Sequence, residues 1–364
     1  MSVGRIRPSA VSLPVYKPGK GAVQAEEEHG ITGAIKLASN ESPYAPIPAV
    51  VKAIREAAST VNRYPDHGAV ALRAAIADWL GIDRDRIATG PGSVGLLRQV
   101  CMLYLDPGDE AVYPWISFEA YPIFTTEMGA TPVRVPLVDH AFDLGAVADA
   151  VTGRTKLVLL ATPNNPTGTA VSTAAIAGLL GRIPDDVVVV VDEAYREFAD
   201  PALGDPVADL VPQHRNVVVL RTFSKAYGLA GLRLGYAVGD PELIVDVDKL
   251  LLPFSTNSLA QAAALAAIEH VDQIQPRLDL LVAERYRVVQ ALAGAGWNLP
   301  DAQANFVFLS LGASTEEVYL HLERRGVVTR PFPGEGLRVT IGSPEENDRF
   351  LATLAGVAAP RCSP

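Results

Sequence analysis

One lysine in this sequence is hard to explain as a solvated surface charge. Lys225 follows Arg221-Thr222-Phe223-Ser224 and leads into Ala226-Tyr227-Gly228. Just before it, Val217-Val218-Val219-Leu220 reads as a buried strand. An amine that is partly desolvated, or held near another cation, loses its proton more readily and can form a Schiff base. Thr222, Ser224 and Arg233, the last eight residues past the lysine, offer two hydroxyls and a guanidinium as an anion cradle. A ligand presenting an aldehyde to the lysine and a phosphate to the cradle fits this set. Pyridoxal 5'-phosphate is such a ligand. A bare Ser-Lys pair would be a surface lysine beside a capping serine. The full Thr-x-Ser-Lys with its later arginine argues against that.

Two other strand tips carry matching chemistry. Val187 to Val191 are five consecutive valines, the pattern of a central parallel strand covered on both faces. The run ends in Asp192-Glu193-Ala194-Tyr195. An acid there is costly to bury unless it meets a cation. The protonated ring nitrogen of a pyridine cofactor is such a cation, and Asp192 would hold it and keep the ring an electron sink. Lys156-Leu157-Val158-Leu159-Leu160-Ala161 reads as a third strand, followed by the turn signals of Thr162-Pro163-Asn164-Asn165-Pro166-Thr167-Gly168. Open α/β sheets bind ligands beyond the carboxyl ends of their strands. Asn165, Asp192 and Lys225 are therefore expected to converge.

A glycine-rich stretch admits two readings. Gly90-Pro91-Gly92-Ser93-Val94-Gly95 follows a short strand at Arg86-Ile87-Ala88-Thr89 and opens a helix near Val94 to Tyr104. With Asp109 and Glu110 downstream it fits the dinucleotide fingerprint. The same device, backbone N–H groups at a helix N-terminus approached closely through glycines, also binds a lone phosphate. An NAD-dependent dehydrogenase would use Gly90 to Gly95 and leave Lys225 idle. A pyridoxal phosphate enzyme would use both.

The elements that must position these groups read as follows. Helices are expected near Pro48 to Ser59, Val70 to Leu80, up to Glu269 in an alanine-rich stretch, and Leu278 to Ala293. Ala111-Val112-Tyr113 is a strand running into Pro114-Trp115-Ile116-Ser117-Phe118-Glu119-Ala120-Tyr121, where an aromatic ring could stack on a flat cofactor. In the C-terminal third, strands at Asn305 to Leu309, Gly326 to Thr329 and Leu337 to Ile341 alternate with helices at Thr315 to Arg325 and Pro344 to Leu354. That is a small α+β unit. Residues 1 to about 35 read as an extended arm.

The stretch Arg221-Thr222-Phe223-Ser224-Lys225-Ala226-Tyr227-Gly228-Leu229-Ala230-Gly231-Leu232-Arg233 resembles the lysine motif of class I/II aminotransferases, in the histidinol-phosphate aminotransferase branch. The segments Gly92-Ser93-Val94-Gly95, Ser117-Phe118-Glu119-Ala120-Tyr121 and Pro253-Phe254-Ser255-Thr256-Asn257-Ser258 look like the actinobacterial subgroup acting on aromatic amino acids such as phenylalanine. The resemblance runs from Asn40 to about Phe350 and implies a fold type I architecture. That is an α/β large domain with a mostly parallel seven-stranded sheet, plus a small α+β domain. Residues 1–45 would be an arm and part of the small domain, 46–270 the large cofactor-binding domain, and 271–364 the small C-terminal domain.

The resemblance also implies residue roles. Lys225, Asp192 and Tyr195 would be catalytic. Gly92, Ser93 and Val94, with Thr222, Ser224 and Arg233, would hold the cofactor phosphate. Asn165 and Tyr195 would bond its phenolic oxygen, and Phe118 rather than Trp115 would stack on the ring. Tyr64, in Asn62-Arg63-Tyr64-Pro65-Asp66, would cross a homodimer interface to the other subunit's phosphate. Arg338, with Asn165, would take the substrate anion, Arg330 would be a second arginine, and Tyr44 would be a pocket wall. Leu37-Ala38-Ser39-Asn40-Glu41-Ser42-Pro43-Tyr44-Ala45-Pro46 resembles the family's substrate-lining segment, but Ser42 and Ala45 depart from the usual Asn and Gly. The implied reaction moves an amino group between an aromatic amino acid and 2-oxoglutarate. A histidinol-phosphate aminotransferase, or another pyridoxal phosphate enzyme such as a decarboxylase or lyase, would keep the same cradle.

Bulk properties bound these expectations. The chain has 364 residues, 49% hydrophobic and 20% charged, enough for two domains with a substantial core. Its net charge of −10 argues against a general nucleic-acid binder. Its two cysteines, Cys101 and Cys362, supply neither metal spacing nor a disulfide framework, which suits a reducing cytoplasm. No apolar run approaches a membrane span, and no metal site is read.

Overall fold

The computed structural model describes residues 6–11, 13–14 and 19–359. Cys362 and parts of the expected arm lie outside them. The valine-rich runs become the centre of a seven-stranded sheet. In chain order β1 is Ile35–Lys36, β2 Ile87–Gly90, β3 Glu110–Trp115, β4 Thr131–Pro136, β5 Thr155–Ala161 and β6 Val188–Asp192. Then come β7 Val217–Thr222, β8 Gly235–Gly239, β9 Phe306–Ser310, β10 Val327–Val328, β11 Arg330–Phe332 and β12 Gly336–Thr340. The large sheet runs β2-β8-β7-β6-β5-β3-β4. Only β8 is antiparallel to its neighbours.

Side chains alternate across this sheet with the strand period of two. Val188 and Val190 join Leu157, Leu159, Val218 and Leu220 on one face. There they meet Leu96, Leu97 and Val100 of the helix Ser93–Tyr104 and Leu243, Ile244 and Val247 of the helix Pro241–Lys249. Val189 and Val191 face the other way, into a cluster with Leu72, Ile76, Ile176 and the alanines of the helix Ser258–Glu269. Both faces are apolar because both are covered.

A second sheet of order β11-β12-β9 is antiparallel, and β1 pairs parallel with β10. The chain just before the large unit is thus woven into the C-terminal one. The arm is not extended throughout: Ala22–His29 is a helix, closed by Gly30 in the left-handed region. Three consecutive glutamates hide its periodicity, and burial of Ala25 against Ala38 and Val328 holds it. Lys20 ties the segment down through Glu28 and the buried Glu323, at 2.6 Å each. The connecting helix, Val271–Gly294, starts earlier than its pattern indicates and carries Pro276 near its beginning. No helix of the described residues is long and apolar enough to cross a membrane.

One glycine locks the sheet to the helix that bears the glycine-rich turn. A Cβ on Gly235 would lie 2.3 Å from the Ser93 nitrogen, 2.7 Å from the Gly92 carbonyl carbon and 2.8 Å from the Arg221 oxygen. Those are backbone atoms, which cannot swing aside. Gly235→Ala should therefore cost about 1–3 kcal/mol in urea unfolding.

Candidate active site

The carboxyl ends of β5, β6 and β7 and the start of the helix Ser93–Tyr104 open on one cavity of about 510 Å³. Asn165, Asp192 and Lys225 all line it, as do Tyr195, Thr222, Ser224 and Arg233. So do Ser93, Val94 and Phe118, and from the small sheet Arg330 and Arg338.

Lys225 donates from Nζ to the Ser39 carbonyl at 2.9 Å and stands 5.9 Å from the centre of the Tyr195 ring. Burial draws its ammonium down to about 7, and the Arg338 guanidinium adds to the effect. Asp192 ends β6. Its main-chain oxygen accepts from the Thr162 N–H at 3.0 Å, which keeps the β5 and β6 tips in register. Its side chain is only 6% exposed, and among the described residues Oδ1 has no hydrogen-bond partner. Burial pushes this carboxyl up to about 7.

The anion cradle is built from the β7 exit and the glycine turn. The Thr222 hydroxyl donates to Ser224 Oγ at 2.9 Å, and Arg233 donates to Ser224 Oγ at 3.4 Å and to the Ala230 carbonyl at 2.9 Å. Gly92 has φ +77°, and a Cβ there would sit 2.7 Å from the Arg233 guanidinium. The helix start and the guanidinium therefore face each other with room only for hydrogen at Gly92.

Tyr195 is held from the small-domain side. Asn40 Nδ2 donates to its hydroxyl at 2.9 Å, while Asn40 Oδ1 accepts from the Thr340 hydroxyl at 3.1 Å. Asn40 adopts a left-handed φ of 52°, a conformation asparagine tolerates better than most residues. Arg338 donates to Asn165 Oδ1 and to the Ala38 carbonyl, between the rings of Phe306 and Phe332. The Asn40 and Ser39 contacts escape sequence reasoning. Their signal was the polar turn at Ser39-Asn40, read only as a pocket segment.

Phe118 lines the cavity, whereas Trp115 stacks under the Arg134 guanidinium at 4.4 Å. Tyr44 does not line this cavity, nor does Tyr64, expected at the other subunit's phosphate. Tyr44 sits in a separate small recess with Ser42, Ala226, Tyr227 and Leu278, the chain having left the main cavity after Asn40. Tyr64 is 81% exposed, stacked on Phe254 with ring centres 4.4 Å apart, and does not reach the cavity of its own chain.

The set fits a ligand with a phosphate, a cationic ring nitrogen and an electrophilic carbonyl. Asp192 Oδ1 is the orphan that such a nitrogen would satisfy. A depressed lysine supplies the neutral amine, and the Gly92–Arg233 gap supplies the anion cradle.

Comparison with known proteins agrees. Residues 32–354 match the family described as aminotransferase class I and II. The chain is 47% identical over 349 residues to the aromatic amino acid aminotransferase of Mycobacterium tuberculosis strain H37Rv, across 95% of this chain and 96% of that one. It is 48% identical over 348 residues to the protein of the same name from Mycobacteroides abscessus, across 95% and 97%. Histidinol-phosphate aminotransferase from Sinorhizobium meliloti, solved in complex with pyridoxal-5'-phosphate, superimposes with a TM-score of 0.90 at 30% identity, covering 98% of each chain.

The opposed shifts at Asp192 and Lys225 give a measurable signature in the ligand-free protein. An acid raised from 3.8 to about 7 binds more protons folded than unfolded in that window. Its stabilising share is full below about 4 and is lost as pH rises to 7. A lysine lowered from 10.5 to about 7 does the reverse above 7: its penalty is relieved as pH climbs toward 10.5. Asp192→Asn should therefore gain on the parent between pH 4 and 7, by about 2–4 kcal/mol in urea titrations. A difference that does not change with pH would contradict a buried acid.

Proposed function

The chain belongs to the aminotransferase class I and II family, and from that premise we propose that it transfers the amino group of an aromatic amino acid such as phenylalanine to 2-oxoglutarate, using pyridoxal 5'-phosphate. One observation carries this above the others: Asn165, Asp192 and Lys225, from three strand ends, line one cavity with the anion cradle. When bound, the cofactor supplies the carbonyl that takes the amino group and a ring that accepts electrons from the substrate carbon.

The chain's own residues do the rest. Ser93 and Val94 at the helix start, with Thr222, Ser224 and Arg233, hold the phosphate. Asp192 would keep the ring nitrogen protonated, and Asn165 and Tyr195 would hold the phenolic oxygen. Phe118 covers the ring. The Lys225 amine, near neutral at physiological pH, takes a proton from the substrate α-carbon and later returns one, as base and then acid. The Arg338 fork takes the substrate carboxylate. Amino donor and oxo acid acceptor use the one site in turn, so kinetics should be ping-pong.

Two mycobacterial relatives named for aromatic amino acids support the donor class, as does the apolar wall of Phe118, Ile123 and Phe124. Arg330 in the same cavity supports a second reading, histidinol phosphate as donor, because a second guanidinium suits a phosphate. The exposed Tyr64–Phe254 stack supports a homodimer with shared sites, in which Tyr64 reaches the partner's cofactor phosphate. A large unit of residues 46–270, an arm through 45, a small unit from 271 and residence in the cytoplasm complete the proposal.

Lys225→Ala should abolish glutamate formation from phenylalanine and 2-oxoglutarate, and with it the covalent retention of the cofactor after borohydride reduction. A donor screen then ranks phenylalanine above histidinol phosphate. Activity confined to histidinol phosphate would overturn the aromatic assignment.

A further inference from the structure

Arg330 and Arg338 are direct partners across the antiparallel pair β11–β12, and both face the cavity. Arg338 donates to the Asn165 amide oxygen and the Ala38 carbonyl. Arg330 makes an ion pair with Glu119, Nη2 to Oε2 at 2.7 Å. The arginine side chain is 14% exposed and the glutamate 41%. Glu119 directly follows Phe118 and precedes the helix Ala120–Glu127, whose Ile123 and Phe124 are part of the apolar wall. The acid thus stands where the apolar wall meets the second cationic group.

We propose that Glu119 sets side-chain specificity: by neutralising Arg330 it favours substrates whose far end is an uncharged ring over those carrying a second anion. This rests on Arg338 taking the first carboxylate in the reaction proposed above. A guanidinium in a partly dry cavity draws a second anion strongly, and a carboxylate at hydrogen-bond distance cancels most of that field. A distal carboxylate or phosphate must compete with Glu119 for Arg330. An aromatic ring need not. Because Glu119 is well exposed, it can turn into water at small desolvation cost, so the pair biases the choice without closing the site to a dianionic oxo acid acceptor.

Equilibrium binding of two unreactive acids to the cofactor-loaded enzyme tests this. Glutarate has two carboxylates; 3-phenylpropionate has one and a ring; neither can be transaminated. Glu119→Gln should tighten glutarate by roughly tenfold and change 3-phenylpropionate by less than about twofold. Glu119→Asp, which keeps the charge, should leave glutarate within about threefold of the parent. In turnover, Glu119→Gln should lower KM for 2-oxoglutarate, a dianion, with kcat little changed. Glutarate binding that tightens equally in both variants, or in neither, overturns the proposal. If the parent does not transaminate phenylalanine but Glu119→Gln still tightens glutarate selectively, the donor assignment falls and the role of Glu119 stands.

Discussion

A carboxyl group sits at the inner end of a valine strand with one oxygen unpartnered among the described residues, and most of the site follows from that. Burial without a compensating charge pushes Asp192 toward its neutral form. Lys225 cannot be that charge, because the same cavity drives it toward neutrality too. A cation would satisfy the acid, and a carbonyl would suit the neutral amine. A single ring with a basic nitrogen at one end and an electrophilic carbon elsewhere satisfies both. The large sheet exists to hold these two tips side by side, and the register Ala161–Asp192 and Asp192–Leu220 fixes them through main-chain bonds rather than side-chain packing.

The second constraint is that the same small residues serve both binding tasks. Asn40 grips Tyr195, a cofactor-side group, and Thr340, two residues from Arg338. Arg338 in turn donates to Asn165, on the cofactor side. Asn305 donates to the Asn40 carbonyl and so brings in β9 as well. In the reaction proposed above, an anion drawing on Arg338 would therefore act on Asn165 and Tyr195 as well. Coupling of this kind needs contiguous contacts with defined geometry, and a buried asparagine in a left-handed turn provides them.

What could be seen in the sequence were features with a local cause. Five valines can only be a strand buried on both faces, and an acid at its end is conspicuous for its cost. The helix Pro344–Leu354 was readable because Ser343 and Glu346 form a capping box around a proline at its first position. Features set by pairing were not readable. β8, Gly-Tyr-Ala-Val-Gly, is short and glycine-flanked, and becomes a strand because β2 and β7 lie on either side. β4 carries a half-buried Pro132 and an exposed Pro136 on an edge strand and gains its strand character from β3. The ion pair of Arg330 with Glu119 spans 211 residues, and nothing local announces it. Tyr44 shows the converse: the segment likeness covers Ser39 and Asn40, which line the cavity, and Tyr44, which lines a recess beside it in this chain.

The glycine-rich turn shows how one motif takes its meaning from its surroundings. Gly90 to Gly95 satisfies the dinucleotide spacing, and in a doubly wound sheet that turn follows a central strand at the crossover point of parallel βαβ units. Here it follows β2, an edge strand whose one neighbour, β8, runs antiparallel. No crevice between diverging parallel strands opens at this edge to take a second nucleotide. What faces the turn instead is Arg233, close enough to Gly92 that even a methyl group would clash, and beyond it Ser224 and Lys225. The helix start would supply N–H groups for one phosphate, the guanidinium would close the other side, and Lys225, just past the end of β7, lines the same cavity. Gly92 is thus suited to the close approach of an arginine as much as to a phosphate, while Gly90 and Gly95 leave room for Leu96 and Pro91, so the spacing alone does not separate a dehydrogenase from an aminotransferase.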